Sequence, residues 1–292
     1  MKLLMKFNLI LGLVMGIGLA VAGYVSYRFL RDAAREEVLR QARLMMEAMQ
    51  SARNYTARQV RPLLEKDQEH LKSFLSQTVP AFAATESFNY LRASYPDYAY
   101  KEAALNPTNP RDRALDWEAD IINSFRNHAG QKELVGERDS STGRSLFLAR
   151  PISADPPCLE CHDVPRVAPA AMVRHYGSNN GFGWQKGEVV GAQIVSVPMT
   201  VPIRLANEGF QKLLGYFAAV FATSLILLDV VLVMTVVRPL RRLSAMADQI
   251  SVGQLDVPEL PVRGKDEIAI LAESFNRMRR SLERALKMIE DP

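Results

Sequence analysis

Cysteine is nearly absent from this chain, and what there is stands in one place. Of 292 residues, two are cysteine and four are histidine. A framework of structural disulfides is therefore excluded. No second Cys pair and no His-x-x-x-His run supplies the further ligands of a structural zinc site. Charge is missing from residues 7–27, FNLILGLVMGIGLAVAGYVSY, and from 213–237 except for Asp229. Glycine is missing from residues 31–64. Basic excess is small, a formal charge of +4, and no nucleic-acid partner is expected.

The two apolar runs are long enough to matter. At about 1.5 Å per residue, each as a helix crosses a hydrocarbon layer of roughly 30 Å. They divide the chain into a cytoplasmic N-terminus (1–6), a first span (7–27), a sensor region (31–205), a second span (213–237) and a tail (238–290). The first span also admits reading as a cleaved signal peptide, since Ala20-Val21-Ala22 fits a small-x-small site. Its length beyond that site favours a retained helix. Asp229 is costly in lipid and is expected to face a helix partner or a water-filled defect. Gly12, Gly16 and Gly18 suit close helix packing only weakly.

Charge counting orients the second span better than the first. Lys2 and Lys6 before the first span are outnumbered by Arg28, Arg31 and Arg35 after it. Arg238, Arg241 and Arg242 follow the second span closely, against Arg204 and Lys212 before it. This favours a cytoplasmic tail and an exported middle region.

Cys158-Leu159-Glu160-Cys161-His162 is Cys-x-x-Cys-His, the attachment pattern of a c-type haem. Two thiols at this spacing reach the two vinyl groups of one porphyrin, and the adjacent histidine falls beneath the iron. One haem c is expected, held by Cys158 and Cys161, with His162 as axial ligand. A disulfide between the two cysteines is the simplest competitor, and a thioredoxin-like pair is disfavoured by Pro156, Pro157 and Pro165 in what reads as a loop. Bacteria attach haem c outside the cytoplasmic membrane, which agrees with an exported middle region. The expected location is a bacterial inner membrane, crossed twice, with both termini cytoplasmic.

Periodicity outlines the rest. Residues 31–64, rich in Ala, Glu, Arg, Leu and Met, predict a long helix disturbed at Pro62. Asn109 and Pro110 predict the start of another, with Leu115, Ile121, Ile122 and Phe125 on its apolar face. KELVGERD and RSLFLARPI around SSTG predict an antiparallel hairpin, and EVVGAQIVSVPM a third strand. The expected class is α+β: an antiparallel sheet with a long N-terminal helix, two membrane helices and a helical tail.

YKEAALNPTNPRDRALDWEADIINSFRN, ELVGERDSSTGRSLFLARPI, CLECH and YGSNNGFGWQKGEVVGAQIVSVPM together resemble the bacterial haem-c-binding domains of PAS-like fold. The similarity covers about residues 36–203. It implies haem held against a PAS-like sheet at Cys158, Cys161 and His162. Some members of that family take a second axial ligand from a cysteine on the N-terminal helix, and this chain has no third cysteine. Met45, Met46 and Met49 on the first helix, His128 and His175 are the alternatives, as is an open position. Each methionine also reads as core packing, and each histidine as a loop residue; His70 reads as solvent-exposed. Arg144 and Arg150 suit haem propionates or ordinary cross-strand pairing, while Phe182, Trp184 and Tyr55 suit haem cover or loop packing.

Behind the second span, Pro239 opens a helix whose apolar residues Leu240, Leu243, Ala247 and Ile250 step by three and four. A connector with Gly253 and Pro258 leads to a second helix at Asp266 and Glu267, with Ile268, Leu271, Phe275, Met278, Leu282, Ala285 and Ile289 in one heptad seam. This resembles a HAMP domain, which implies a homodimeric four-helix bundle. Three residues follow Ile289, and no enzymatic constellation stands elsewhere. The expected protein is a non-enzymatic membrane sensor of redox state or a diatomic gas. Its output would pass to a separate cytoplasmic histidine kinase, cyclase or chemotaxis-type transducer. The alternative is a membrane-anchored cytochrome for periplasmic electron transfer.

Overall fold

A computed structural model describes residues 3–64, 73–140, 143–254, 256–262 and 264–290. His70 lies outside these residues, as does the side chain of Ile289. The chain forms two compact units: Arg28–Gly209, and Met1–Tyr27 with Phe210–Pro292.

In the first unit four antiparallel strands form one sheet in the order β1-β4-β3-β2. They are β1 (Ala99–Ala104), β2 (Leu134–Ser140), β3 (Gly143–Ser153) and β4 (Val189–Pro198). The expected hairpin is β2–β3, in register at Val135 with Leu148, and the expected third strand is β4, pairing Val195 with Leu148. β1 is an addition. It seals the other edge of β4, with Tyr100 opposite Val195 and Glu102 opposite Gln193.

Strand alternation gives the sheet two buried faces. Leu146, Leu148, Val195, Val197 and Tyr100 meet α1 (Leu3–Tyr55) and α3 (Pro80–Ser94) through Val38, Ala42, Met46, Met49, Ala84 and Phe88. Positions 38, 42, 46 and 49 recur at helical spacing, so the sheet-facing stripe of α1 is mostly Val, Ala and Met. On the other face Ala103, Ala149, Ala192 and Ile194 meet Ile121, Ile122 and Phe125 of α4 (Asp116–Asn127). This helix starts later than Asn109 and Pro110 suggest. Asn109 instead caps a 3-10 turn over Pro110–Asp112 by accepting from the Arg111 amide at 3.2 Å. The helix is capped by Glu118, whose Oε2 accepts the Leu115 amide at 2.8 Å, and Leu115 itself is exposed.

α1 does not end cleanly. A π-turn at Thr56–Val60 leads into the short α2 (Arg61–Leu64). Pro62 has no amide to return to the preceding turn, which explains the break in the regular ladder.

The second unit contains two helical stretches, within Leu4–Leu64 and Thr200–Ser251, long and apolar enough to cross a membrane. Asp229, on α7 (Thr200–Leu232), does meet a helix partner: Asn8 Nδ2 donates to its Oδ2 at 2.9 Å. α8 (Arg238–Ser251) and α9 (Glu267–Glu290) follow. Pro239 lies in the first turn of α8, Gly253 takes a left-handed φ of +87° where that helix ends, and Asp266 Oδ1 accepts the Ala269 amide to start α9. Leu243, Met246 and Ile250 pack with Leu260 and Ala272. Met246 takes the place expected of Ala247, which is only half-buried. Asn276 ties the connector to α9 by both donating to and accepting from the Leu260 backbone. Leu271, Met278 and Leu282 of the heptad seam stay exposed within one chain.

Candidate functional site

The stretch read as a proline-rich loop is a helical turn, α5 (Pro156–His162). Proline suits a first helical turn, where the missing amide is not needed. The turn carries Cys158 and Cys161, half-buried and not joined in a disulfide, and ends on His162. All three line a cavity of about 310 Å³.

His162 is held for a purpose that its neighbours reveal. A carbonyl can only accept, so the 2.7 Å contact with Gly181 places the ring proton on Nδ1. Nε2 then carries the lone pair. Burial holds the imidazole below its usual pKa, against an upward pull from the Gly181 contact, so the neutral ring persists. The indole of Trp184 stacks on the ring at 3.9 Å and an 11° tilt, fixing its plane. Gly181 itself has φ of +78°, and a Cβ there would lie 2.8 Å from the Thr108 backbone nitrogen. Glycine is required at this carbonyl by both geometry and space.

The remaining walls divide by chemistry. Phe74, Phe82, Ile152, Met172 and Val190 are apolar; Met172 stands on α6 (Ala170–Tyr176) and is 3% exposed. Arg53, Ala57 and Arg61 arrive from α1, the π-turn and α2. Both arginines are engaged. Arg53 pairs with the buried Glu102, which also accepts from the Tyr100 hydroxyl at 2.7 Å, and Gln193 Nε2 donates to that hydroxyl at 3.2 Å. Burial and the Glu102 carboxylate push the Tyr100 phenol well up, so it remains a donor. Arg61 donates to Glu160, one of the two residues between the cysteines, at 2.7 Å. Asp112 also lines the cavity, and burial raises its carboxyl to about 6.

The site brings together Cys158, Cys161, His162 and Trp184 of the residues picked out in the sequence. Met45, Met46 and Met49 do not line the cavity. Met46 and Met49 are buried against the sheet, and Met45 packs beside them. His128 is exposed at the end of α4, bound to the Ser124 carbonyl, and His175 is exposed against the Tyr176 ring. Phe182 and Tyr55 are not cavity walls. Arg144 pairs with Glu137, and Arg150 with Glu47 and Glu133, as ordinary surface charges do. Sequence reasoning missed Arg53, Arg61, Glu102, Met172 and Gly181. A signal existed only for Gly181, in the glycine-rich SNNGFGW.

Two cysteines not joined in a disulfide, an imidazole whose Nδ1 is committed to the Gly181 carbonyl and whose lone pair is therefore on Nε2, and a largely apolar cavity form a donor set that fits a covalently held haem. Residues 31–198 match the Tll0287-like family and residues 231–284 the HAMP domain. A solved structure, that of the cyanobacterial heme-protein Tll0287, aligns at 17% identity over 56% of this chain and 95% of its own, with a TM-score of 0.44. No curated protein sequence matches.

Proposed function

The chain belongs to the Tll0287-like family, and from that premise we propose that it is a membrane-bound haem-c sensor whose output leaves through its HAMP domain. A sensor-like domain followed by HAMP is an arrangement suited to signal transduction. The HAMP match implies a dimer and a signalling partner. The finer reading rests on one observation above others: His162 commits Nδ1 to the Gly181 carbonyl in the cavity that holds both thiols.

In this reading Cys158 and Cys161 would hold the haem through thioethers and His162 Nε2 would be a donor to its iron. Met172 is the cavity's one methionine among the described residues and is proposed as the second donor, replacing the methionines of α1. The bound group would supply a redox-active iron, which sets the stimulus as redox poise or a small iron ligand. The protein's own residues do the rest. Trp184 and Gly181 hold the imidazole, the apolar walls exclude water, and Arg61–Glu160 connects the attachment turn to α2. A shift of α5 is thereby felt at the π-turn that ends α1. This reading has the sensor unit in the periplasm, both termini in the cytoplasm and one HAMP from each of two chains in the bundle. A separate cytoplasmic kinase, cyclase or chemotaxis-type transducer receives the signal.

The test is direct. Membranes from cells with haem-c maturation should show a protein band that keeps its haem through denaturing electrophoresis, and cells without maturation should not. Absence of that band in maturation-competent cells rules out the haem-c reading. Deleting 238–290 should abolish signalling and retain the band; unchanged signalling would overturn the sensor reading.

A further inference from the structure

One face of α1 in the Arg28–Gly209 unit is exposed among the described residues. Leu44, Ala48, Ser51 and Tyr55 step by four, three and four along the helix, and all are exposed, Leu44 by 72% and Tyr55 by 64%. The sheet-facing residues Val38, Ala42, Met46 and Met49 occupy a different face. Exposed leucine and tyrosine singly would need no explanation. Their spacing does, because alternating steps of three and four keep residues on one seam of a two-stranded helical contact.

The serine of the stripe is already engaged within the protomer. Ser51 Oγ donates to the Glu47 carbonyl at 2.8 Å, so the serine turns its hydroxyl back into its own helix. The flanking charges are paired as well: Arg43 with Glu133, Glu47 with Arg150, and Arg40 with Glu37. A small centre, Ala48 and Ser51, between two larger ends allows helices to approach closely there and interlock at Leu44 and Tyr55.

We propose that this stripe is a contact with the same stripe of a second copy. The occupant follows from the HAMP domain, which implies a dimer of this chain. Copies in one membrane share an orientation, so a two-fold relation sets α1 parallel to α1, each stripe residue near its own mate. Four residues a side would not associate free protomers. Held together elsewhere, two chains see each other at an effective concentration on the order of millimolar, where a weak seam suffices. The seam lies on the helix that carries Arg53 to the cavity, so occupancy and dimer packing share one element. The inference rests on the dimer and not on the haem reading.

Oxidative cross-linking of the full chain in membranes tests it. The parent, whose cysteines are Cys158 and Cys161 alone, sets the background. Ala48→Cys and Ser51→Cys should each give a disulfide-linked dimer, several-fold stronger than Glu36→Cys, which is exposed on the same helix off the stripe. Adding Leu44→Glu to Ser51→Cys should weaken the band. Leu282→Cys, on the exposed seam of α9, reports the HAMP dimer separately. A dimer band at Leu282→Cys with none at either stripe position overturns the proposal, as does equal cross-linking at Glu36→Cys. No band at Leu282→Cys removes the dimer itself, and the proposal with it.

Discussion

Arg61 donates to Glu160 at 2.7 Å, joining α2, which follows the long N-terminal helix, to one of the two residues between the cysteines. Glu160 is largely exposed and Arg61 partly so. An ion pair this open contributes at most about 1 kcal/mol to stability. Its value lies in position.

Arg61→Ala should therefore leave covalent haem and thermal stability nearly unchanged while reducing signalling. The charge-reversed pair Arg61→Glu with Glu160→Arg should restore part of the response. A single variant that signals normally would show that the pair is ornamental.

The second arginine of the cavity behaves differently. Glu102 is buried, and removing Arg53 leaves its charge without a cation. Arg53→Ala should cost about 3–5 kcal/mol of unfolding free energy. Glu102→Gln in the same chain should recover part of the loss, because a neutral amide tolerates burial. Denaturant titration of the parent, single and double variants measures both effects.

Two methionines should separate by readout. Met172→Ala should alter the absorption and magnetic circular dichroism of the purified protein with covalent haem retained. Met46→Ala should leave those spectra alone and cost roughly 2–5 kcal/mol through the cavity it opens under the sheet. Unchanged spectra for Met172→Ala would assign the second iron position to water or an exogenous ligand.

Asp112 gives a pH dependence. Burial raises its carboxyl from 3.8 to about 6, Arg111 and Lys101 pull it down, and Glu102 pushes it up. A folded value above the unfolded one means that the native state binds the proton more tightly. The associated stability is complete below the unfolded value and is lost as pH rises through about 6. The Tm of Asp112→Asn relative to the parent should therefore become more positive between about pH 4 and pH 7. A flat difference across that range would mean that Asp112 titrates normally.

Much of this was legible along the chain because the information is local. The Cys-x-x-Cys-His motif is five consecutive residues, the two long apolar segments hold a single charge between them, and the hairpin and tail helices declare themselves by period. β1 escaped notice for a reason visible in the structure. Its buried face includes Glu102, which breaks the apolar alternation that marks a strand, and the charge is tolerated only because Arg53 of α1 meets it. α3 buries only Ala84 and Phe88 outright, too sparse a stripe for periodicity to show.

The cavity walls illustrate the same division. Methionines of α1 look like iron donors in sequence, yet their spacing turns them to the sheet, while Met172 reaches the cavity from a short helix with no pattern of its own. Gly181 lies far enough from His162 along the chain that nothing local couples them, and folding makes its carbonyl the partner of the ring.

By itself the sequence determined the elements whose causes are covalent spacing and nearest-neighbour periodicity: Cys158, Cys161 and His162 as one compact motif, two apolar helices, a hairpin and a heptad seam. Only the tertiary structure decided which nitrogen of His162 is left free, which methionine lines the cavity and which arginine holds Glu102. Those depend on contacts between residues distant in sequence, where burial selects the partner and no repeat along the chain records the choice.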